Sequence, residues 1–167
     1  ALPSRFDNPS SPAVRSPCFS DPAFHETLRT RIGREAKKVR YDYYNVRLHW
    51  TGDEFFLGPN VCHSEHCLKR VRAHLAEEYG SVAALNAAWG TSFASFAEAT
   101  PCQLRELPSK DRLARWLDHK LFMSALFAAE WVGRPADLLS AASPGSLCGP
   151  TGTQVPVYVA ASKKGLK

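Results

Sequence analysis

Apolar residues recur every three or four positions at Phe24, Leu28, Ile32, Ala36 and Val39, behind an Asp21-Pro22 pair suited to cap and start a helix. This predicts an amphipathic helix over 22–40. The period then changes to two. Tyr44, Val46, Leu48 and Trp50 fall on one side and Asn45, Arg47 and His49 on the other, which predicts a strand over 43–50. If the alternation continues, Trp50, Gly52 and Glu54 share a face and Asp53 points away. After the loop "FFLGPNVCH", Ser64 and Glu65 open a second helix with its stripe at Leu68, Val71, Leu75 and Tyr79 and its stop at Gly80. Ser81 caps a short helix bearing Val82, Leu85 and Trp89 and stopped by Gly90. Past the loop "TSFASFAEATPCQLRELP", another helix starts near Ser109 and Asp111, carries Leu113, Trp116, Leu117 and Leu121, and ends at Gly133. A helical turn "ADLLSAA" follows Pro135, and "SLCGPTGTQVPVYV" predicts a short strand running into a loop.

The order helix, strand, helices, strand is that of α/β units around a parallel sheet. Residues 1–20 carry four Pro and five Ser without periodicity and read as an irregular N-terminal segment, leaving 21–167 as the ordered domain. A chain of 167 residues that is 44% apolar, with four Trp and nine Phe, can fill a core. It is nonetheless shorter than the ~250 residues of a complete eight-stranded α/β barrel. The net charge of +5 is spread along the chain; "KKVR" and "KKGLK" are not interleaved with stacking aromatics, so the reading is no nucleic-acid partner. The longest apolar run, "LFMSALFAA", is too short for a membrane span. Five scattered cysteines, at 18, 62, 67, 102 and 148, make reduced thiols the default and favour a cytoplasmic location.

Two stretches carry chemistry. In "HWTGDEFF" (49–56), Asp53 and Glu54 close the clearest strand, where α/β architectures place their ligand sites. A glutamate against the aromatic surface of Trp50, Phe55 and Phe56 would have its charged form disfavoured and could hold a proton for a leaving group. Asp53, on the opposite face, would be a poor second carboxylate. The bland alternative is a turn-capping Asp53 and a solvated Glu54. In "CHSEHC" (62–67), four borderline metal ligands lie close together, with the rest of a zinc set to come from Cys18, Cys102 or Cys148. The alternatives are a loop Cys62 with a half-buried Cys67, or a Cys/His nucleophile using His63 or His66.

The run "CLKRVRAHLAEEYGSVAALNAAWGTSFASFAEATP" (67–101) resembles the segment that follows the acid/base glutamate in glycoside hydrolase family 42 β-galactosidases. Tyr79-Gly80, Leu85-Asn86, Trp89-Gly90-Thr91 and Phe93 fit its pattern; "DPAF" and "GPTGTQVP" extend the resemblance to roughly residues 17–157. What it implies is a partial (β/α)8 TIM barrel, helix-rich with few parallel strands, from a retaining glycosidase acting on a terminal β-linked sugar. Glu54 is then the general acid/base. Asp53 takes the place of the family's Asn and orients substrate or Glu54, and Trp50 offers a face to the sugar ring. A zinc cluster, where the family has one, would use Cys62 and Cys67, while no cofactor is required for the reaction. The nucleophile glutamate is expected beyond Lys167, and a piece with few strands would expose sheet edges and tend to form homo-oligomers. Two other readings are a non-catalytic sugar-binding module keeping Trp50 and Trp89, and a small zinc module built on Cys62, His66 and Cys67.

Overall fold

The computed structural model describes residues 13–14, 18–42, 48–55, 57, 61–107 and 113–153, with the backbone alone at 38–42, 48–55 and 150–153. Among these residues the chain is helix-rich, with α1 (Pro22–Asp42), β1 (Leu48–Phe55), α2 (Glu65–Tyr79), α3 (Val82–Trp89), α4 (Ala114–Phe127), α5 (Arg134–Ala142) and β2 (Leu147–Thr153). It forms two compact units. One holds Asp21–Leu57 and Ser124–Lys167; the other holds Arg5–Ser20 and Gly58–Met123.

In the first unit β1 and β2 pair in parallel, as the alternation of elements predicts. The strand differs from expectation in its extent. Residues 43–47 lie outside the described residues, and β1 runs on through Gly52-Asp53-Glu54 to Phe55, because its partner strand keeps bonding it there. The register pairs Trp50 with Gly149 and Asp53 with Thr151, so three steps on β1 match two on β2. One extra residue therefore sits between Trp50 and Asp53, a bulge in which Gly52 adds no side chain to accommodate. Strict alternation does not cross it. By register Asp53 is in step with Trp50, which removes the basis for setting Asp53 on the opposite face.

α1 starts as its sequence dictates: Asp21 Oδ1 accepts the Ala23 N–H at 2.9 Å and Pro22 fills the first helical position. Ser109 and Asp111, the expected start of the next long helix, lie outside the described residues. That helix does not end at Gly133. α4 widens into a π segment, Ala128–Gly133, and continues as α5, with the Arg134 N–H bonded to the Ala129 carbonyl five residues back. The wide turn accommodates Pro135, which has no N–H to offer and would otherwise crowd the carbonyl four residues earlier. It also phases burial. Glu130 and Pro135 are both buried, although five residues of α-helix would set them about 140° apart. Glu130 accepts from Arg134 Nε at 2.6 Å and lies 3.8 Å from His25 Nδ1, while Trp131 stacks on Phe24 at 5.7 Å, so the π segment binds the start of α1.

The second unit is built on caps. Ser64 and Ser81 accept the N–H groups of Cys67 and Ala84, and Gly80 and Gly90 end α2 and α3 in the left-handed conformation at φ 68° and 67°. Leu68, Val71, Leu75, Leu85, Trp89, Ala99 and Met123 form its core. Among the described residues no helix is long and apolar enough to cross a membrane.

Candidate functional site

Glu54 is the penultimate residue of β1 and Asp53 precedes it, so both stand at the carboxyl end of a parallel strand, with Thr151 and Thr153 of β2 paired to Asp53 and Phe55. In α/β sheets this is the end at which ligands bind. Phe56 lies outside the described residues, as do the side chains of Trp50, Asp53 and Glu54.

The second unit brings together a cluster that the sequence shows only in part. Cys18, Cys62 and Cys67 are buried, and their three sulfurs lie within 4.8 Å of one another. Cys18 Sγ is 3.4 Å from Cys67 Sγ, Ser64 Oγ is 2.9 Å from Cys18 Sγ, and the Cys67 thiol reaches Ser20 Oγ at 3.4 Å. Tetrahedral zinc with Zn–S bonds of ~2.3 Å sets sulfurs about 3.8 Å apart, so the spacing fits such an ion. Cys18 is thus the third member. Cys102 and Cys148 stand elsewhere, the latter 3.5 Å from Ser140 Oγ, and His66 is exposed and outside the cluster. Cys67 is fully buried rather than half-buried, because the first turn of α2 turns it inward beside Leu68. Hydrogen bonding to Cys62, and then burial, push its thiol well above the usual range, and its sulfur neighbours are thiols and hydroxyls. A reactive thiolate needs the opposite environment.

Behind the cluster stands His119 of α4, which sequence reasoning missed: a single histidine in an apolar stripe carries no signal of its own. It is 1% exposed, and one ring nitrogen, Nε2, lies 3.1 Å from the Cys62 carbonyl. A carbonyl can only accept, so Nε2 carries the hydrogen. Burial, and then the neighbouring His63 ring at 4.3 Å, lower its pKa to about 3, so the imidazole is neutral.

The residues of the "YG…LN…WGT.F" pattern have structural duties. Asn86 reaches round the Gly90 turn: its amide donates to the Phe93 carbonyl at 2.9 Å, while its Oδ1 accepts from the Phe93 N–H and the Thr91 hydroxyl. Tyr79 Oη and Trp89 Nε1 both donate to Asp118 Oδ2, at 2.6 and 2.7 Å. Trp89 is 6% exposed and its N–H is occupied, so it presents no free face to a sugar. This corrects its place in the binding-module reading.

A parallel strand pair joined through a helical crossover, with carboxylates at its carboxyl end, defines an α/β unit of the kind found in barrel and doubly wound enzymes. The particular family follows from comparison. The chain belongs to glycoside hydrolase family 42, whose model, described as β-galactosidase, matches residues 8–148. The crystal structure of a β-galactosidase from Bacillus circulans sp. alkalophilus is similar with a TM-score of 0.62 and 21% identity, over 81% of this chain and 20% of that one. That of a β-galactosidase from Rahnella sp. R3 gives 0.65 and 20%, with the same coverage. A thermophilic β-amylase from Thermoanaerobacterium thermosulfurigenes is 32% identical over 69 residues, which is 41% of this chain and 12% of the relative. The chain therefore spans about a fifth of the length of the solved β-galactosidases it matches.

Proposed function

We propose that this chain is the acid/base-bearing part of a (β/α)8-barrel β-galactosidase that hydrolyses a terminal β-linked sugar with retention. The observation that carries the reading is the position of Glu54 at the carboxyl end of β1, in a chain of this family. Glu54 protonates the leaving oxygen in the first step and deprotonates water in the second, and a second glutamate, on another strand of the barrel, forms the glycosyl-enzyme between them. Asp53 orients the sugar, and Trp50 offers it an apolar face. Glu54→Gln, assayed in the longest natural form of the chain on aryl β-galactosides of graded leaving-group pKa, is expected to lose ~10²–10⁴-fold on poor leaving groups. Good leaving groups, which need no proton, should keep their first step. Equal kcat/KM to wild type across the series would reject Glu54 as the acid.

A specific observation favours a second, compatible element: a structural zinc held by Cys18, Cys62 and Cys67. Bound there, the ion would tie the segment before α1 to the loop before α2 and take no part in sugar chemistry. Three buried thiols supply a suitable donor set, with the fourth position left to a further donor. One zinc per chain, lost on Cys18→Ser, is the expected stoichiometry.

A further inference from the structure

The geometry points to His119 as a positioning residue for a metal held by Cys18, Cys62 and Cys67: its Nε2–H, donated to the Cys62 carbonyl, fixes the backbone from which the Cys62 sulfur reaches the other two. This rests on the zinc reading above.

The three cysteines differ in what holds them. Cys67 sits in the first turn of α2, where Ser64 Oγ receives its N–H at 3.2 Å, so a helix sets its direction. Cys62 lies in the irregular stretch before that helix, and no element of regular structure fixes it. Contacts from elsewhere in the chain do so instead, among them the His63 N–H on the Ala13 carbonyl at 2.8 Å and His119 on the Cys62 carbonyl. The His63 ring, packed against that of His119, completes the wall. A buried donor here must be uncharged unless it is paired, which an imidazole satisfies and a lysine does not. The His119 Nδ1 is buried with no hydrogen-bond partner among the described residues, so the ring is held by its single bond to Cys62 and by packing. Groups one bond removed from a metal ligand govern affinity by orienting that ligand, and their loss usually weakens binding ~10–100-fold.

The test is zinc affinity by chelator competition at fixed pH, in the whole chain, for wild type, His119→Leu and His119→Gln, each first shown to be folded without metal by far-UV circular dichroism. Wild type should bind one zinc. His119→Leu should bind ~10–100-fold more weakly. His119→Gln keeps an N–H donor at similar reach and should return affinity close to wild type. Cobalt in place of zinc gives a second readout: the thiolate-to-cobalt charge-transfer band should match wild type in His119→Gln and weaken in His119→Leu. A role confined to packing would lower metal-free stability and leave affinity and spectrum unchanged. If His119→Leu does not fold, His119→Asn, too short to reach the carbonyl, takes its place and must bind more weakly than His119→Gln. Wild type without zinc overturns both the zinc reading and this inference; wild type with zinc and donor-less variants that bind as tightly overturns this inference alone.

Discussion

Removing the Asp118 carboxylate should unfasten α2, α3 and α4 at one point. Two donors, Tyr79 Oη and Trp89 Nε1, converge on the same oxygen. Hydrogen bonds to an ionised group contribute roughly 1.5–3 kcal/mol each, but the two donors are not equally dependent on it. Tyr79 is half-buried and can turn its hydroxyl to water, so its loss should cost about 0.5 kcal/mol. Trp89 is 6% exposed and cannot, so Asp118→Leu leaves a stranded indole N–H at a cost of about 1.5–2.5 kcal/mol. Leucine branches as aspartate does and carries bulkier ends, so no cavity is added. The sum, about 2–3 kcal/mol, corresponds to a fall in Tm of roughly 4–12 °C for a chain of this size. Asp118→Asn keeps an acceptor and should lose about half as much. Urea unfolding followed by far-UV circular dichroism measures the change without using the fluorescence of Trp89 itself, and a cycle with Trp89→Phe isolates the pair. A shift for Asp118→Leu within the ~0.5 kcal/mol of an ordinary surface substitution would refute the reasoning.

The same network predicts an alkaline limb in stability. Burial, and then the bond to Asp118, push Tyr79 up to about 12 from the ordinary 10, so the folded state holds the phenol proton more tightly than the unfolded state does. This contribution is complete below the unfolded pKa and is lost as pH rises through the folded one. The urea midpoint of wild type should therefore fall more steeply between those values than that of Tyr79→Phe, and parallel curves would sink the claim. Gly80→Ala tests the end of α2: φ is 68° and nothing lies within 4 Å of an added Cβ, so the cost is backbone strain alone, about 1 kcal/mol. An unchanged midpoint would mean that the left-handed turn is not needed.

Elements set by local chemistry were legible in the sequence. Asp21-Pro22, Ser64, Ser81, Gly80 and Gly90 act within one turn of where they stand, and each does what its residue type dictates. Elements set by distant partners were not. β1 extends through a polar Gly-Asp-Glu because β2 bonds it there, and the bulge between Trp50 and Asp53 exists only in the pairing. Gly133 and Pro135 punctuate the sequence as a helix end, yet tertiary burial of Glu130 carries the helix past them. The thiol cluster was half visible: Cys62 and Cys67 are neighbours, whereas Cys18 and Cys67 are 49 residues apart and meet only in the fold. Asn86 and Trp89 were legible as a family pattern, and the structure supplies the reason: they close a turn and fill a clamp.

The π segment makes this part of the chain tolerant of a change in length. An i-to-i+5 turn absorbs one residue while keeping the helix on either side in phase, so α4 and α5 present one continuous buried stripe across Glu130 and Pro135. Deleting a single residue between them would tighten the wide turn into an ordinary one and leave the stripe where it is, but only with Pro135 replaced as well, since in the tighter turn its ring would crowd the carbonyl four residues earlier. The same deletion in the middle of α2 would swing every residue beyond it by about 100°. A one-residue change in length paired with loss of Pro135 is thus absorbed at this point, whereas two helices earlier the same change would turn the buried stripe of α2 away from its core.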